Sequence, residues 1–409
     1  MSYLAEIPYG CYWSTPFARW QGSFSGLHSI EFAAHVAREE LARRDIDVGS
    51  LDCGVLGTSV PQKHAFYGLP WLTGLMGASH IGGPTVAQAC ATGVRCLLTA
   101  AQEVESGLAS SALIVTADRT SNGPHLYYPS PAGPGGTGTN EDWVMDNFGC
   151  DPLGHHSMLQ TAENVAAKYS ISTAAQHDVV LRRTEQYGDA VANDHRFQKT
   201  YMTLPFNIPH PGFRKSMGLM DGDEGVTLSS VDGVARLKPV MDDGSVTYAG
   251  QTFPADGNAS MIVTTPDKAG ELSRDRNVRI QLLGFGLSRT DLAFMPEAAV
   301  PAANVALKQA DIDIKAIDAV KTHNPFAVND VIFARQTGID VMNMNNFGCS
   351  LIWGHPQGPT GLRSIIEMIE ELVARGGGLG LFTGCAAGDT AMACVIKVGG
   401  TSGSSGSSG

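Results

Sequence analysis

No uninterrupted apolar run in this chain approaches the roughly 20 residues a membrane-crossing helix needs. The N-terminus lacks the basic-then-apolar order of a secretory signal, and the expectation is a cytoplasmic protein. Positive charge is scarce: 28 Lys and Arg stand against 40 Asp and Glu, a net charge of −12. That balance argues against a nucleic-acid surface, but not against a polyphosphate ligand, which a few local cations suffice to hold. Not one of the eight cysteines falls in a C-x-x-C pair, so neither zinc nor a disulfide framework is indicated and no metal is expected. Scattered reduced thiols fit a cytosolic setting.

What is present is an ordinary globular composition, 43% apolar and 17% charged. With 409 residues the chain has room for one large or two to three smaller domains. The final stretch TSGSSGSSG has no side chain to bury; 399–409 reads as a linker or tag tail outside the fold.

The most informative stretch is VAQACATGVRCLLTAAQEVESG, 86–107. Gln88, Ala89 and Cys90 leave a Gly-Pro turn, and Val94, Leu97, Leu98, Ala101 and Val104 then recur at helical spacing. A cysteine at the lip of a helix faces free N–H groups and the positive dipole end, which favours a reactive thiolate. The competing reading is a buried cysteine packing as a small hydrophobe. A second copy strengthens the first: TGVRCLLTAAQEVESG (92–107) is matched by TGLRSIIEMIEELVARG (360–376), each followed by a short apolar run, SALIVTAD and GLGLFTGC. Two related α/β halves with a parallel sheet follow from this alternation. Cys90 precedes the first repeated helix, Gly354-His355-Pro356 the second, and Cys385 ends the strand after it.

Between the halves the pattern changes. Residues 121–140 are dense in Gly and Pro and read as loop, with helices expected at 158–169 and 174–194. The organisation read here is 1–118 plus 249–270 as the first half, 119–248 as an insertion, and 271–398 as the second half.

Six ordered motifs then carry a resemblance. TPFARWQGSFSG, QACATG, MLQTAENVAAKYSIS, FPADGNASMIV, NNFGCSLIWGHPQGPTGLR and GCAAGDTAMACVIK follow in sequence the conserved segments of thiolases, over roughly 5–398. The chain resembles that family of acetyl-CoA acetyltransferases and 3-ketoacyl-CoA thiolases. His323, opening His-Asn-Pro-Phe where many members carry N-E-A-F, is similar to the sterol-carrier type, which has H-D-C-F.

The resemblance implies two βαβαβαββ halves stacked as α-β-α-β-α layers with an inserted loop domain. It implies coenzyme A as co-substrate along that loop domain, with no permanently bound cofactor. It also implies a homodimer or dimer of dimers, and in diverged members a small OB-fold partner carrying a zinc ribbon. The implied roles are Cys90 as nucleophile, His355 as its base, Cys385 as second acid/base and His323 as a donor to the thioester oxygen. Ala387 and Gly388 fall at the oxyanion segment, and Asn324, Phe326 and Trp353 at the pocket wall. Thr252 and Met158 fall at coenzyme A positions. The arginine that often flanks the adenine is missing before Ser229-Ser230, so Arg182, Arg183, Arg214 and Lys215 are the local candidates to replace it. Trp353, Phe347 and the aromatic insertion at 121–150 point to a bulky, branched or aromatic acyl group, hence to fatty-acid or aromatic degradation. A ketosynthase-like condensing enzyme shares the fold and the nucleophile; the second cysteine, Cys385, favours the thiolase reading.

Overall fold

The structure is a computed structural model that describes residues 3–400. The tail assigned to 399–409 lies outside the described residues from 401 onward. Gly399 and Gly400 correct its start: they continue the last strand, paired with Arg279 and Val278, because ladder hydrogen bonds need backbone and not side chains.

The first half opens with β1 (Tyr12–Ser14), β2 (Ala18–Arg19) and α1 (Ser29–Arg43), then β3 (Cys53–Gly57) and α2 (Gly68–Met76). It continues through β4 (Thr85–Val86), α3 (Thr92–Glu105) and β5 (Ser111–Arg119). The intervening segment carries β6 (His125–Pro129), β7 (Gly138–Asp142), α4 (Met145–Gly149), α5 (Met158–Lys168) and α6 (Thr173–His195). A second hairpin, β8 (Phe206–Pro209) with β9 (Ser216–Met220), and α7 (Val231–Ala235) complete it. β10 (Ala255–Thr264) and α8 (Pro266–Leu272) return to the first half. The second half runs β11 (Val278–Arg289), α9 (Ala299–Ala310), β12 (Ala319–His323), α10 (Ala327–Thr337) and α11 (Ser350–Trp353). It closes with α12 (Gln357–Ala374), β13 (Gly378–Ala386) and β14 (Thr390–Gly400).

The first sheet has the order β1-β10-β5-β3-β4, with β2 also on β10; the second has the order β11-β14-β13-β12. In each sheet a parallel pair, β3 with β5 or β12 with β13, meets an antiparallel strand that closes the half. β5 is buried along eight of its nine residues, as expected for a strand covered on both faces. The cover on the inner faces is α3 and α12, whose apolar residues share one core with both sheets. α1 and α2 cover the outer face of the first sheet, and α9 that of the second. The result is the α-β-α-β-α stack. The glycine- and proline-rich 121–140 is not loop throughout: between the turn at 121–124 and the tip, β6 and β7 pair from His125–Asp142 to Pro129–Gly138.

Because α12 is central, even its charged residues are out of water and must be paired. Arg363 bonds Asp223 and Glu367, Lys321 bonds Glu367, and Tyr12 donates to Glu370 at 2.6 Å. Asp223 belongs to the intervening segment, so this buried network ties it to the core.

Candidate active site

Both repeated helices begin beside the same space. At the entrance to α3, Ala89 takes a left-handed φ of +42°, a strained conformation for a residue with a Cβ, and this tight turn presents Cys90. The Thr92 hydroxyl donates to Ala89 O at 2.7 Å and accepts from the Gln88 amide at 2.8 Å, fixing that turn. At the entrance to α12, Thr360 donates its only hydroxyl hydrogen to Pro356 O at 2.6 Å, while His355 Nδ1 lies 2.7 Å from Thr360 Oγ1 itself. Nδ1 must therefore be the donor in that contact, and His355 Nε2 carries a lone pair. It has no protein partner although buried.

His323, at the end of β12, stacks on His355 with ring centroids 4.1 Å apart and planes 30° from parallel. Its Nδ1 is 2.9 Å from Ser350 Oγ, and its Nε2 is likewise buried and unpartnered. Each of the two imidazoles offers a ring nitrogen within 4.8 Å of the Cys90 sulfur and of the other ring's. Linear spacing gave no sign of this Cys-His-His cluster. Near-parallel stacking sets the two imidazole lone pairs side by side; a divalent ion needs them to converge at about 2.0–2.3 Å. The arrangement suits proton exchange better than a cation.

Burial dominates the ionisation of all three. It pushes the Cys90 thiol up to about 12, against the backbone amides of Ala387 and of Cys90 itself, which pull it down. It pushes His355 down to about 3 and His323 well below its ordinary value, the latter helped by His355. The amides at the helix entrance act in the direction read from the sequence, and burial outweighs them. In the free chain the neutral thiol beside a neutral imidazole is the stable pair, and the sulfur must lose its proton within the reaction step. Cys385, at the end of β13, is 1% exposed, its thiol also raised by burial and then by Cys90.

A cavity of about 280 Å³ opens onto this cluster, lined by Cys90, His355, Ala387, Thr252, Met158 and Phe326, with Phe148, Leu159, Met295 and Pro325. Gln251 joins it to a larger cavity of about 470 Å³, lined among others by Arg19, Trp20, Ser229, Ser230, Leu237 and Tyr248. The other sequence candidates fall elsewhere. Gly388 (φ +79°) forms the turn after β13 and lines neither cavity. Asn324 is fully buried, its amide donating to Asp330 at 2.8 Å and its oxygen accepting from Ser350 at 3.0 Å, so it braces the wall from behind. Trp353 is enclosed between Phe17 and the Arg363 guanidinium, and Phe347 stacks on Phe197 at 4.0 Å; neither reaches the cavity.

The arginines are corrected too. Arg183 is wholly buried and paired with Asp330 at 2.9 Å. Arg182 donates to Met342 O and pairs with Glu185. Arg214 and Lys215 sit exposed in the β8–β9 turn. None lines either cavity; among the described residues Arg19 is the Lys or Arg that does. The residues the sequence did not announce are Thr360, Ser350, Asn329 and Asp118. Asp118 accepts from Thr58, from Ser59 and from the Gly358 amide at 2.6 Å, tying the first half to the start of α12. Only Thr360 left a trace, as the threonine of the repeated Thr-Gly.

Comparison with known proteins gives two adjoining family matches, "Thiolase, N-terminal domain" over 13–267 and "Thiolase, C-terminal domain" over 277–398. An acetyl-CoA acetyltransferase of Pseudomonas aeruginosa is 27% identical over 400 residues, covering 93% of this chain and 96% of that protein. A 3-ketoacyl-CoA thiolase of Pseudoalteromonas atlantica is 28% identical over 423 residues, covering 94% of each. Among solved structures, the Bacillus anthracis acetyl-CoA acetyltransferase superposes with a TM-score of 0.87 at 22% identity, covering 97% of this chain and 99% of that one. Human mitochondrial 3-ketoacyl-CoA thiolase in complex with CoA does so at 0.86 and 23%, with the same coverage. At these identities the superpositions speak for the fold.

Proposed function

This chain belongs to the thiolase family, and we propose that it is an acyltransferase cleaving a 3-ketoacyl-CoA with free CoA, or running the reverse Claisen condensation, through an acyl-Cys90 intermediate. The observation that carries this reading is the approach of a His355 ring nitrogen to within 4.8 Å of the Cys90 sulfur, in a ring whose Nε2 is unpartnered among the described residues and where both residues line one cavity. Cys90 attacks the 3-keto carbon while its proton passes to His355 Nε2. Thr360 holds the ring so that this nitrogen, and not Nδ1, faces the sulfur. Cleavage of the C2–C3 bond leaves an acyl thioester on Cys90 and the enolate of the departing acyl-CoA, which takes a proton from Cys385. The Cys385 thiolate then accepts the proton of the incoming CoA thiol, whose sulfur attacks the acyl carbon. Cys90 departs with the proton held on His355.

Charge on the thioester oxygens needs preorganised donors. The amides of Cys90 and Ala387 stand on the sulfur's side, and His323 Nε2 faces the same space from the other. In the free chain the Ser350 hydroxyl donates to Asn324 Oδ1 at 3.0 Å; turned instead to His323 Nδ1, 2.9 Å away, it leaves Asn324 Oδ1 the Leu351 amide as donor at 3.2 Å. His323 then carries its proton on Nε2, complementary to His355.

The larger cavity is our assignment for coenzyme A, with the thiol end passing Gln251 and Thr252 toward Cys90. Arg19 takes the place proposed above for Arg182, Arg183, Arg214 and Lys215. The acyl pocket is then bounded by Phe148, Met158, Leu159, Met295 and Phe326; Phe148, from the 121–150 segment, is what remains of the aromatic argument for a bulky acyl group. We infer a homodimer, or a dimer of such dimers. β4 leaves the first sheet with an open edge, and Phe66 (96% exposed) and Tyr67 (66%) stand between β3 and α2 in the same half, an arrangement a partner copy would cover.

The test is intact-protein mass spectrometry after brief exposure to a panel of 3-ketoacyl-CoAs, with Cys90→Ser as control. An adduct on Cys90 is expected, its mass naming the acyl group retained. Acylation by acetoacetyl-CoA far above every bulkier substrate overturns the acyl preference. No adduct from any substrate overturns the stand-alone enzyme and directs the search to the small OB-fold subunit.

A further inference from the structure

We propose that Asn329 is a positioning residue for Cys385, its carboxamide orienting the buried sulfur and matching it in both protonation states. The inference deepens the reading of Cys385 as acid/base and rests on it. Asn329 is the third residue of α10, 2% exposed, and its Nδ2 lies 3.2 Å from Cys385 Sγ. Among the described residues, no other side chain hydrogen-bonds that sulfur. The other end of the same carboxamide, Oδ1, is buried with no partner among the described residues.

A buried carboxamide normally satisfies both ends, because an orphaned oxygen costs free energy. Here the donor end is committed to a sulfur, a weak acceptor as a thiol. The bond becomes charge-assisted, and about twice as strong, once the sulfur is a thiolate. With Cys385 protonated, a half-turn of the amide offers Oδ1 to the S–H instead. A carboxamide therefore serves both states of a group that must give up a proton and take one back; an aliphatic side chain serves neither and a carboxylate opposes the thiolate. The place suits the task, since the first turn of α10 adds its free amides and dipole to the same side. Asn329 also counters the adjoining Cys90 sulfur, whose charge disfavours a second thiolate. A residue that only filled space would leave the thiol chemistry untouched when replaced.

The experiment measures Asn329→Ala and Asn329→Asp in two ways. In a Cys90→Ser background, the rate at which methyl methanethiosulfonate labels Cys385 is followed by peptide mass spectrometry from pH 6 to 10. That reads the thiolate without any turnover. In the chain with Cys90 intact, kcat and KM are determined. The expected result is an onset of labelling displaced upward by about one pH unit or more in both variants. With it goes a fall of about 10–100-fold in kcat, KM staying within about twofold. A labelling profile identical to that of the Asn329 protein overturns the proposal. A displaced profile with unchanged kcat upholds the contact and removes Cys385 from the reaction, so the two failures are told apart. Asn329→Asp keeps the shape of the side chain and carries the reading if the alanine variant fails to fold.

Discussion

The two helix entrances at Thr92 and Thr360 are built alike and used differently. In each, a threonine hydroxyl donates backward to a carbonyl, Ala89 O or Pro356 O, and so closes the turn that leads into the helix. The difference lies in what that hydroxyl receives. Thr92 Oγ1 accepts a backbone amide, Gln88 N, and stiffens the chain that carries the thiol. Thr360 Oγ1 accepts the imidazole Nδ1–H and so decides which nitrogen of His355 is free. The duplicated turn has kept its architecture while one copy holds a nucleophile and the other selects a tautomer. Architecture and chemistry are thus separable at this position.

Replacing each threonine by valine tests that separation. Thr360→Val leaves Nδ1–H without its acceptor and lets the ring turn or change tautomer. The expected loss in kcat is about 10–100-fold, toward the 10²–10⁴ of removing a general base outright. Thr92→Val removes only a turn brace, so kcat stays within a few-fold and the loss, about 1–2 kcal/mol, shows in thermal unfolding. Equal losses of kcat in both variants would sink the distinction.

What was legible in the sequence follows the same division. Cys90, His355 and the Thr-Gly repeat are local patterns, and a few consecutive residues carry them. The contacts that tune them are not local. Asn329 meets Cys385 across 56 positions, and Ser350 meets His323 across 27. Arg183 read as a ligand-facing cation because its partner, Asp330, is 147 residues away. Trp353 read as a pocket wall because adjacency to Gly-His-Pro does not reveal that Phe17 and Arg363 enclose it. The hairpin of β6 and β7 was hidden for another reason: its strands are short and polar-flanked, and the Gly-Pro tip dominates their composition.

The glycines after the two threonines sharpen the comparison at the level of packing, because the two helices cross there. A Cβ on Gly93 would lie 2.7 Å from Gly358 O and 2.8 Å from Leu362 N, both backbone atoms at the start of α12. A Cβ on Gly361 would meet Val94 Cγ2 at 3.2 Å, the end of a side chain. Gly93→Ala therefore has to move the turn that holds His355. About 1–3 kcal/mol of stability is expected to go with it, and activity as well. Gly361→Ala asks only for a small shift of Val94 and gains about 0.5–1 kcal/mol of helix propensity, so it should be near neutral. Differential scanning calorimetry of the pair, with kcat alongside, decides; a Gly361→Ala variant as damaged as Gly93→Ala would show that the crossing is symmetric after all.

The mildest way to separate the entrances is acid. The thiol at the first is neutral in both folded and unfolded chains below neutral pH and contributes no proton uptake. At the second, His355 is held neutral by burial down to about pH 3, and the stacked His323 is also lowered by burial. An unfolded histidine protonates near pH 6.5. Below pH 6.5 the unfolded chain binds a proton at each ring that the folded chain refuses, at His355 down to about pH 3, so stability rises with pH and is lost as pH falls from about 6.5. The slope for each ring grows from about 0.7 kcal/mol per pH unit at pH 6.5 toward a limit of about 1.4 at lower pH. Denaturant unfolding at pH 6.5, 6.0 and 5.5 should show a steeper acid loss in the parent chain than in His323→Asn, by the share of that one ring, about 1 kcal/mol per pH unit, because His28, His35 and His177, also lowered by burial, and Asp256, raised by it, titrate alike in both. The same substitution leaves the His355–Thr360 bond in place, so a slope unchanged by His323→Asn would mean that His323 titrates in the fold as it does in the unfolded chain, and the neutral buried ring assigned to it would be wrong.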